Sequence, residues 1–141
     1  MKKKLLIALA VIVILGGLIQ LVPYGRNHTN PPVVAEPAWA SPEARAMVKQ
    51  YCFACHSNEV EWPWYSNVAP ASWLIYRDVE EGRRELNFSE WGKGRAEVDE
   101  IIEVVQEGEM PPFQYWLFHP SAKLNEQSKS DLIQALRSSI Q

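Results

Sequence analysis

The stretch that decides the fold is SPEARAMVKQYCFACH, at residues 41–56. It opens with Ser41, Pro42 and Glu43, residue types that favour the N-cap, the first position and the first turn of an α-helix. Apolar residues then recur at intervals of three and four positions, which places them on one face of that helix. They are Ala44, Met47, Val48 and Tyr51. The predicted helix ends in two cysteines and a histidine, Cys52, Cys55 and His56.

The spacing of these three residues suits a covalently bound haem. Two thiols near a helix end can reach one face of a porphyrin and add to its vinyl groups, while His56 places a ring nitrogen on the iron. A structural zinc site needs four ligands, and the sequence has no second C-x-x-C pair. A thioredoxin-like pair expects a preceding strand, and a plain disulfide leaves His56 unexplained. We therefore predict one haem c, held by Cys52 and Cys55 through two thioethers, with its iron bound to His56.

The sixth iron position has three candidate arrangements. Met110 lies between Gly108 and two prolines, and a stiff loop of this kind can hold a thioether sulfur at a fixed distance from iron. Met/His ligation raises the reduction potential. His119 is the alternative ligand, and an open position is the third arrangement. Met47 shares the apolar face of the first helix and is predicted to be core.

The second ring nitrogen of His56 also needs a hydrogen-bond partner. The backbone carbonyls near Pro63 and Pro70 are the predicted partners.

The rest of the chain predicts further helices and no substantial sheet. Apolar periodicity indicates a helix over about 70–86 and another over about 96–106, which stops before the prolines that follow Met110. The last helix begins after an N-cap at Asn125 and runs to about Ser139, with its apolar side turned to the core. No stretch alternates polar and apolar residues. The fold class is therefore all-α, with four helices and long loops in residues 41–141.

The N-terminal segment has the pattern of a membrane anchor or a signal peptide. Three lysines at residues 2–4 precede 18 uncharged residues, 5–22, which would span about 27 Å as a helix. We predict an uncleaved transmembrane anchor at residues 1–22, with a cleaved and secreted form as the alternative. The lysines then place the domain outside the cytoplasm, in a bacterium in the periplasm or on the extracytoplasmic face of the membrane. Residues 23–40 are rich in proline and are predicted to be a linker.

The charge of the chain excludes one class of partner. The whole chain has 14 basic and 17 acidic residues, and the three N-terminal lysines account for part of the basic set. The remaining residues carry 11 basic against 17 acidic groups, a balance of −6. A nucleic-acid-binding protein needs a basic face, so this class is excluded.

Seven blocks of the sequence carry a family resemblance. They are CFACHSNE (52–59), WPWYSN (62–67), APASW (69–73), EEGR (80–83), LNFSEW (86–91), GEMP (108–111) and HP (119–120). Through these blocks residues from about 45 to 138 resemble a family of bacterial haem-binding domains related to class I cytochromes c. The resemblance implies a cytochrome c-like fold, with Cys52 and Cys55 as thioether sites and His56 as proximal ligand. It places Met110 where the broader cytochrome c fold carries its distal methionine.

These observations predict an electron carrier, and not an enzyme. A haem held by Cys52, Cys55, His56 and Met110 can change redox state with little ligand motion, and its partners are redox proteins. One alternative is a haem subunit of a larger membrane respiratory assembly. Another is a haem sensor or peroxidase with an open sixth position, although the sequence shows no distal His/Arg pair.

Overall fold

The computed structural model describes residues 1–93 and 97–140, and these residues form six α-helices. Between them lie two short 3-10 turns, Trp64–Asn67 and Pro120–Ala122. The described residues contain no strand, and the single isolated β-bridge among them joins Ala35 to Glu90. The predicted all-α class is therefore confirmed. The helices are α1 (Lys2–Ile19), α2 (Pro42–His56), α3 (Ala71–Glu85), α4 (Val98–Gln106), α5 (Phe113–Phe118) and α6 (Glu126–Ser139).

Helix α2 begins and ends where the sequence predicts. Ser41 is in extended conformation, and its hydroxyl accepts a hydrogen bond from the Ala44 N–H at 3.1 Å. Pro42 occupies the first position, where the absence of an N–H costs nothing because that group has no partner within the helix. The helix stops at His56, since Ser57 returns to extended backbone. The residues from Cys52 to His56 thus form the C-terminal end of a capped helix.

Helix α6 also has the predicted start and end. The Asn125 side chain accepts from the Ser128 N–H at 2.8 Å, and the Ser128 hydroxyl accepts from the Asn125 N–H at 2.8 Å. This reciprocal pair satisfies two backbone donors that the helix itself leaves without partners. Leu132 and Leu136 of this helix are fully buried. They fill the core without an aromatic side chain in α6.

One helix differs from the prediction. Helix α5, residues 113–118, lies in a stretch that we predicted to be a loop because of its prolines. Pro112 is its N-cap, a place where a fixed φ and a missing N–H are harmless. The described part of α4 begins at Val98, and the predicted start at Ala96 lies outside the described residues. Pro111 and Pro112 therefore lie between α4 and α5, and Pro112 begins α5.

The chain divides into two compact units, residues 1–29 with 62–78 and residues 30–61 with 79–141. In the first unit, the Gln20 side chain makes two hydrogen bonds of 2.9 Å with the backbone of Ala69. The His28 ring stacks on Trp62, with centroids 4.4 Å apart. Gly25 has φ +78°, and a Cβ there would lie 2.4 Å from the Ser72 carbonyl oxygen. This turn requires glycine.

The second unit holds the main core, where α2 and α4 each pack against α6. Burial of a large apolar side chain typically contributes about 1.5–3 kcal/mol, so this cluster is the main source of stability in the unit. Its most buried members come from all three helices and from the segment after α3. They are Val48, Phe53, Phe88, Ile101, Ile102, Val105, Leu132, Leu136 and Ile140.

Part of the predicted linker packs in this second unit. The Val34 and Ala35 N–H groups donate to the Ser89 carbonyl at 2.9 and 3.1 Å. The Trp39 ring lies 6.2 Å from Phe53 and 5.7 Å from Phe88, measured between centroids. These contacts place residues 30–40 beside the end of α2.

Helix α1 covers most of the predicted membrane anchor at residues 1–22. Within the described residues, no helix combines the length and apolar character that crossing a bilayer requires. The helix has 18 residues and includes three lysines. The prediction of a transmembrane helix is therefore not supported.

Candidate haem site

The two cysteines lie on one face of α2, one turn apart. Residues separated by three positions are neighbours on a helix surface, so the side chains of Cys52 and Cys55 lie on the same side. Neither is joined in a disulfide. Both residues are partly exposed, but the thiol group of Cys52 itself is buried. Removal from water, and then the nearby thiol of Cys55, raise the pKa of Cys52 to about 12. At neutral pH Cys52 is therefore a protonated thiol.

His56 is held through one ring nitrogen. Its Nδ1 lies 3.0 Å from the Gly82 carbonyl oxygen and 3.1 Å from the Leu86 carbonyl oxygen. A carbonyl only accepts hydrogen bonds, so Nδ1 carries the proton and donates it to these two oxygens. The lone pair of the neutral ring is then on Nε2, the nitrogen that can bind a metal.

The surroundings of His56 favour this neutral ring. Removal from water lowers the pKa of His56, and the hydrogen bonds to Leu86 and Gly82 oppose that effect only in part. A neutral imidazole is the form that ligates iron, because protonation would occupy the lone pair. The structure therefore presents His56 in the tautomer and charge state of a metal ligand.

The predicted carbonyl partners of His56 were wrong. We expected carbonyls near Pro63 and Pro70, in the loop that directly follows the motif, whereas the oxygens belong to Gly82 and Leu86 at the end of α3. Gly82 is the sequence feature from which these carbonyl partners could have been predicted. A glycine inside a helix of strong helix formers indicates a close approach of another backbone.

Gly82 makes that close approach to the haem-binding helix. A Cβ at this position would lie 2.7 Å from the Cys55 carbonyl oxygen and 3.1 Å from the Cys55 Cβ. The residue is in ordinary helical conformation, so glycine is needed here for space and not for its backbone freedom. The missing side chain lets the end of α3 reach the last turn of α2 and bring its carbonyl to His56.

The chain on the far side of His56 is fixed by hydrogen bonds as well. The Phe88 N–H donates to the His56 carbonyl at 2.8 Å, and Arg83 Nε donates to the Ser57 carbonyl at 2.8 Å. The Asn58 N–H donates to the Ser89 hydroxyl at 2.9 Å. Ser57, Asn58 and Ser89 are all buried. The backbone that carries the histidine is thus held on both sides.

Met110 lies in the loop after α4. Gly108 has φ +80°, and the N–H groups of Glu109 and Met110 both donate to the Val104 carbonyl, at 2.9 and 3.1 Å. The Met110 residue is 38 % exposed. Its backbone is therefore fixed, while its role as the iron's sixth ligand stays a prediction. Further exposed apolar side chains follow it, namely Phe113, Leu117 and Phe118.

His119, the alternative ligand, is engaged with a neighbouring helix. Its Nδ1 lies 3.1 Å from the Tyr115 carbonyl oxygen, and its ring stacks on the Tyr115 ring at 4.4 Å between centroids. These contacts fix the ring against α5.

Together these groups match what haem requires of a protein. Two thiols on one helix face are followed by a histidine with an anchored Nδ1 proton, and apolar side chains are exposed in the same unit. A porphyrin supplies four ligands to its iron, so one imidazole from the chain completes the proximal side. The donor set therefore fits haem, and the fold and site define a small α-helical haem protein.

Comparison with known proteins agrees with this class. The chain matches the model of the haem-binding domain family over residues 14–138, and it belongs to that family. Haem and its iron are accordingly the cofactor of this protein. No curated protein and no solved structure matches the chain significantly. The family match extends further towards the N-terminus than residue 45, where the resemblance was expected to begin.

Proposed function

We propose that the chain is a monohaem c-type cytochrome, related to the class I cytochromes c, that transfers electrons outside the cytoplasm. The observation that carries this proposal is the arrangement at the end of α2. Burial favours the neutral ring of His56, and its Nδ1 donates to two carbonyl oxygens. The histidine lies one residue beyond the second of two thiols that share a helix face. This is a ligand set for a covalently attached haem iron.

The cysteines are proposed to form two thioethers. Each S–H would add across one vinyl double bond, so that a C–S and a C–H bond would form, the S–H bond and the π bond would break, and no atom would leave. Neither cysteine is joined in a disulfide, and the two lie one turn apart on α2, which supports this role. Cys52 and Cys55 would thus fix the porphyrin to α2, and His56 would bind the iron through Nε2.

Met110 is the proposed ligand on the opposite face. Its backbone is anchored to the Val104 carbonyl, which gives the side chain a fixed point of attachment. When bound, the haem supplies a one-electron couple at the iron. His56 and Met110 would both remain bound to the iron in either redox state, so that little of the chain would have to move during transfer.

Export of the domain is supported by the N-terminal sequence. Lys2, Lys3 and Lys4 form the start of α1 and precede its apolar residues, which is the charge pattern of an export signal. We place the domain in the periplasm of a bacterium, where its partners would be redox proteins. A fusion to a reporter that is active only outside the cytoplasm tests this placement, with Lys2–Lys4 replaced by glutamates as the control.

The haem proposal is tested by expression together with a haem-attachment system. The unaltered chain should keep haem colour after denaturation and organic extraction, and a variant with Ala at both Cys52 and Cys55 should lose it. Covalent haem in that double variant would contradict the attachment sites.

The Met110 ligand is tested by the weak red absorption band of a methionine–iron bond. Ready binding of carbon monoxide by the untreated ferrous protein would favour the sensor or peroxidase alternative.

A further inference from the structure

The two carbonyl oxygens on His56 are held by different means. The Gly82 oxygen lies within α3, and it also accepts from the Leu86 N–H at 2.9 Å, so the helix fixes its direction. Leu86 follows the last helical residue, and no helix determines where its oxygen points. Its direction depends on the Leu86–Asn87 peptide, and therefore on what holds Asn87.

Asn87 is buried, with 7 % of its surface exposed, and its side chain is bonded at both ends. Its Oδ1 accepts from the Ser89 N–H at 2.9 Å, which closes a tight turn directly after Leu86. Its Nδ2 donates to Oδ1 of Asn58 at 2.9 Å. The side chain therefore fixes the peptide that carries the Leu86 oxygen to a second point in the chain.

That second point lies two residues beyond the histidine. Asn58 is 4 % exposed, and its own Nδ2 donates to the Pro32 carbonyl at 2.9 Å. A closed ring of contacts results, which runs from His56 along the chain to Asn58, across the two amides to Asn87, back to Leu86 and from its oxygen to His56 Nδ1. Buried amides of this kind are costly to leave without partners, so the ring is rigid.

We infer that Asn58 and Asn87 are positioning residues for the proximal histidine: together they hold the Leu86 carbonyl on His56 Nδ1 and so lower the reduction potential of the haem. This inference rests on the proposed function, since it requires iron on Nε2. A hydrogen bond from Nδ1 makes the imidazole a stronger electron donor, which favours the oxidised iron. Without Asn87 only the Gly82 oxygen remains as a defined acceptor.

The test is the reduction potential of the haem-loaded Asn87→Ala variant. Loss of one hydrogen bond should raise the ratio of reduced to oxidised haem about fivefold at a fixed solution potential. For a one-electron couple, at 59 mV per tenfold, this corresponds to a rise of about 40 mV. The His56 Nδ1 proton, followed by NMR in the reduced protein, should also exchange faster with water.

A matched control separates positioning from general loss of stability. Ser139→Ala removes another buried side-chain hydrogen bond of the same unit, in which the Ser139 hydroxyl accepts from the Ala40 N–H at 3.2 Å. It should lower stability and leave both the potential and the Nδ1 exchange unchanged. Equal shifts in the control and in Asn87→Ala would overturn the inference, and so would an unchanged potential in Asn87→Ala.

A second variant keeps the test decisive if Asn87→Ala does not accumulate. Asn58→Ala leaves the turn between Asn87 and Ser89 intact. It removes the cross-link to Asn87 together with the bonds of Asn58 to Pro32 and Glu90, so it should shift the potential in the same direction. The double variant should shift the potential no further than Asn87→Ala alone, because both residues act through one carbonyl. Additive shifts would contradict the shared route. Absence of covalent haem from the unaltered chain would instead refute the proposed function, which keeps the two failures distinct.

Discussion

Replacement of Gly82 by alanine tests whether the close approach of α3 to α2 builds the proximal side of the site. In an open helix this change stabilises a protein by about 0.5–1 kcal/mol, because glycine has more conformational freedom to lose on folding. Here the new Cβ would lie 2.7 Å from the Cys55 carbonyl oxygen. Ordinary contact begins at 3.4 Å, so the two backbones must separate by about 0.7 Å.

The contacted atom belongs to the backbone and cannot turn away, so one of the helices has to shift. Overpacking of this kind typically costs about 1–3 kcal/mol. After the helix-propensity gain is subtracted, Gly82→Ala should lower the free energy of unfolding by about 1–2 kcal/mol. A shift of the same size along the 3.0 Å bond from His56 Nδ1 to the Gly82 oxygen would lengthen it to about 3.7 Å, where it no longer acts as a hydrogen bond.

The assay is urea unfolding of the haem-loaded protein, followed by circular dichroism and by haem absorption. The urea concentration at the midpoint of unfolding should fall, while the slope of the free energy of unfolding against urea concentration stays constant. Glu80→Ala is the matched control, because it places alanine at an exposed position of the same helix and should change stability by less than about 0.5 kcal/mol. If Gly82→Ala is as stable as the unaltered protein, or more stable, the close approach does not constrain the site and the reasoning is wrong.

Three further predictions concern the distal ligand, the core and an ion pair. Met110→Ala should abolish the methionine–iron band, lower the potential and admit carbon monoxide, with the haem still covalently bound. Leu136→Ala removes a fully buried side chain of α6 and should cost about 2–5 kcal/mol in thermal or urea unfolding, whereas exposed Gln134→Ala should cost almost nothing. The hydrogen bond from Arg45 holds the pKa of Glu36 below its ordinary value of 4.5, so the ionised form stabilises the folded state above that pH. Stability should fall as the pH drops through the lowered pKa, and Glu36→Gln should flatten this fall; an unchanged pH profile would show that the pair contributes nothing.

The helix boundaries could be predicted because they depend on neighbouring residues. Ser41 with Pro42 begins α2, and Asn125 with Ser128 begins α6, through contacts that span only three positions. The haem-binding motif is local as well, since two thiols and a histidine within five residues share one helix turn. The start of α5 was missed because a proline both ends and begins helices, and Pro112 here begins one.

The sequence by itself thus determined the helical class, the ends of the main helices and the three residues that point to haem. The tertiary structure decided what holds His56. Its partners lie 26 and 30 residues further along the chain, and both are backbone carbonyls, which every residue possesses. Gly82 within a helix indicates that another backbone approaches there, but it does not indicate that this backbone carries His56. The contact between the buried side chains of Asn58 and Asn87 could not be predicted from the sequence either, because each asparagine alone is an ordinary turn residue. Only the approach of α3 to α2, for which Gly82 leaves room, brings these groups together.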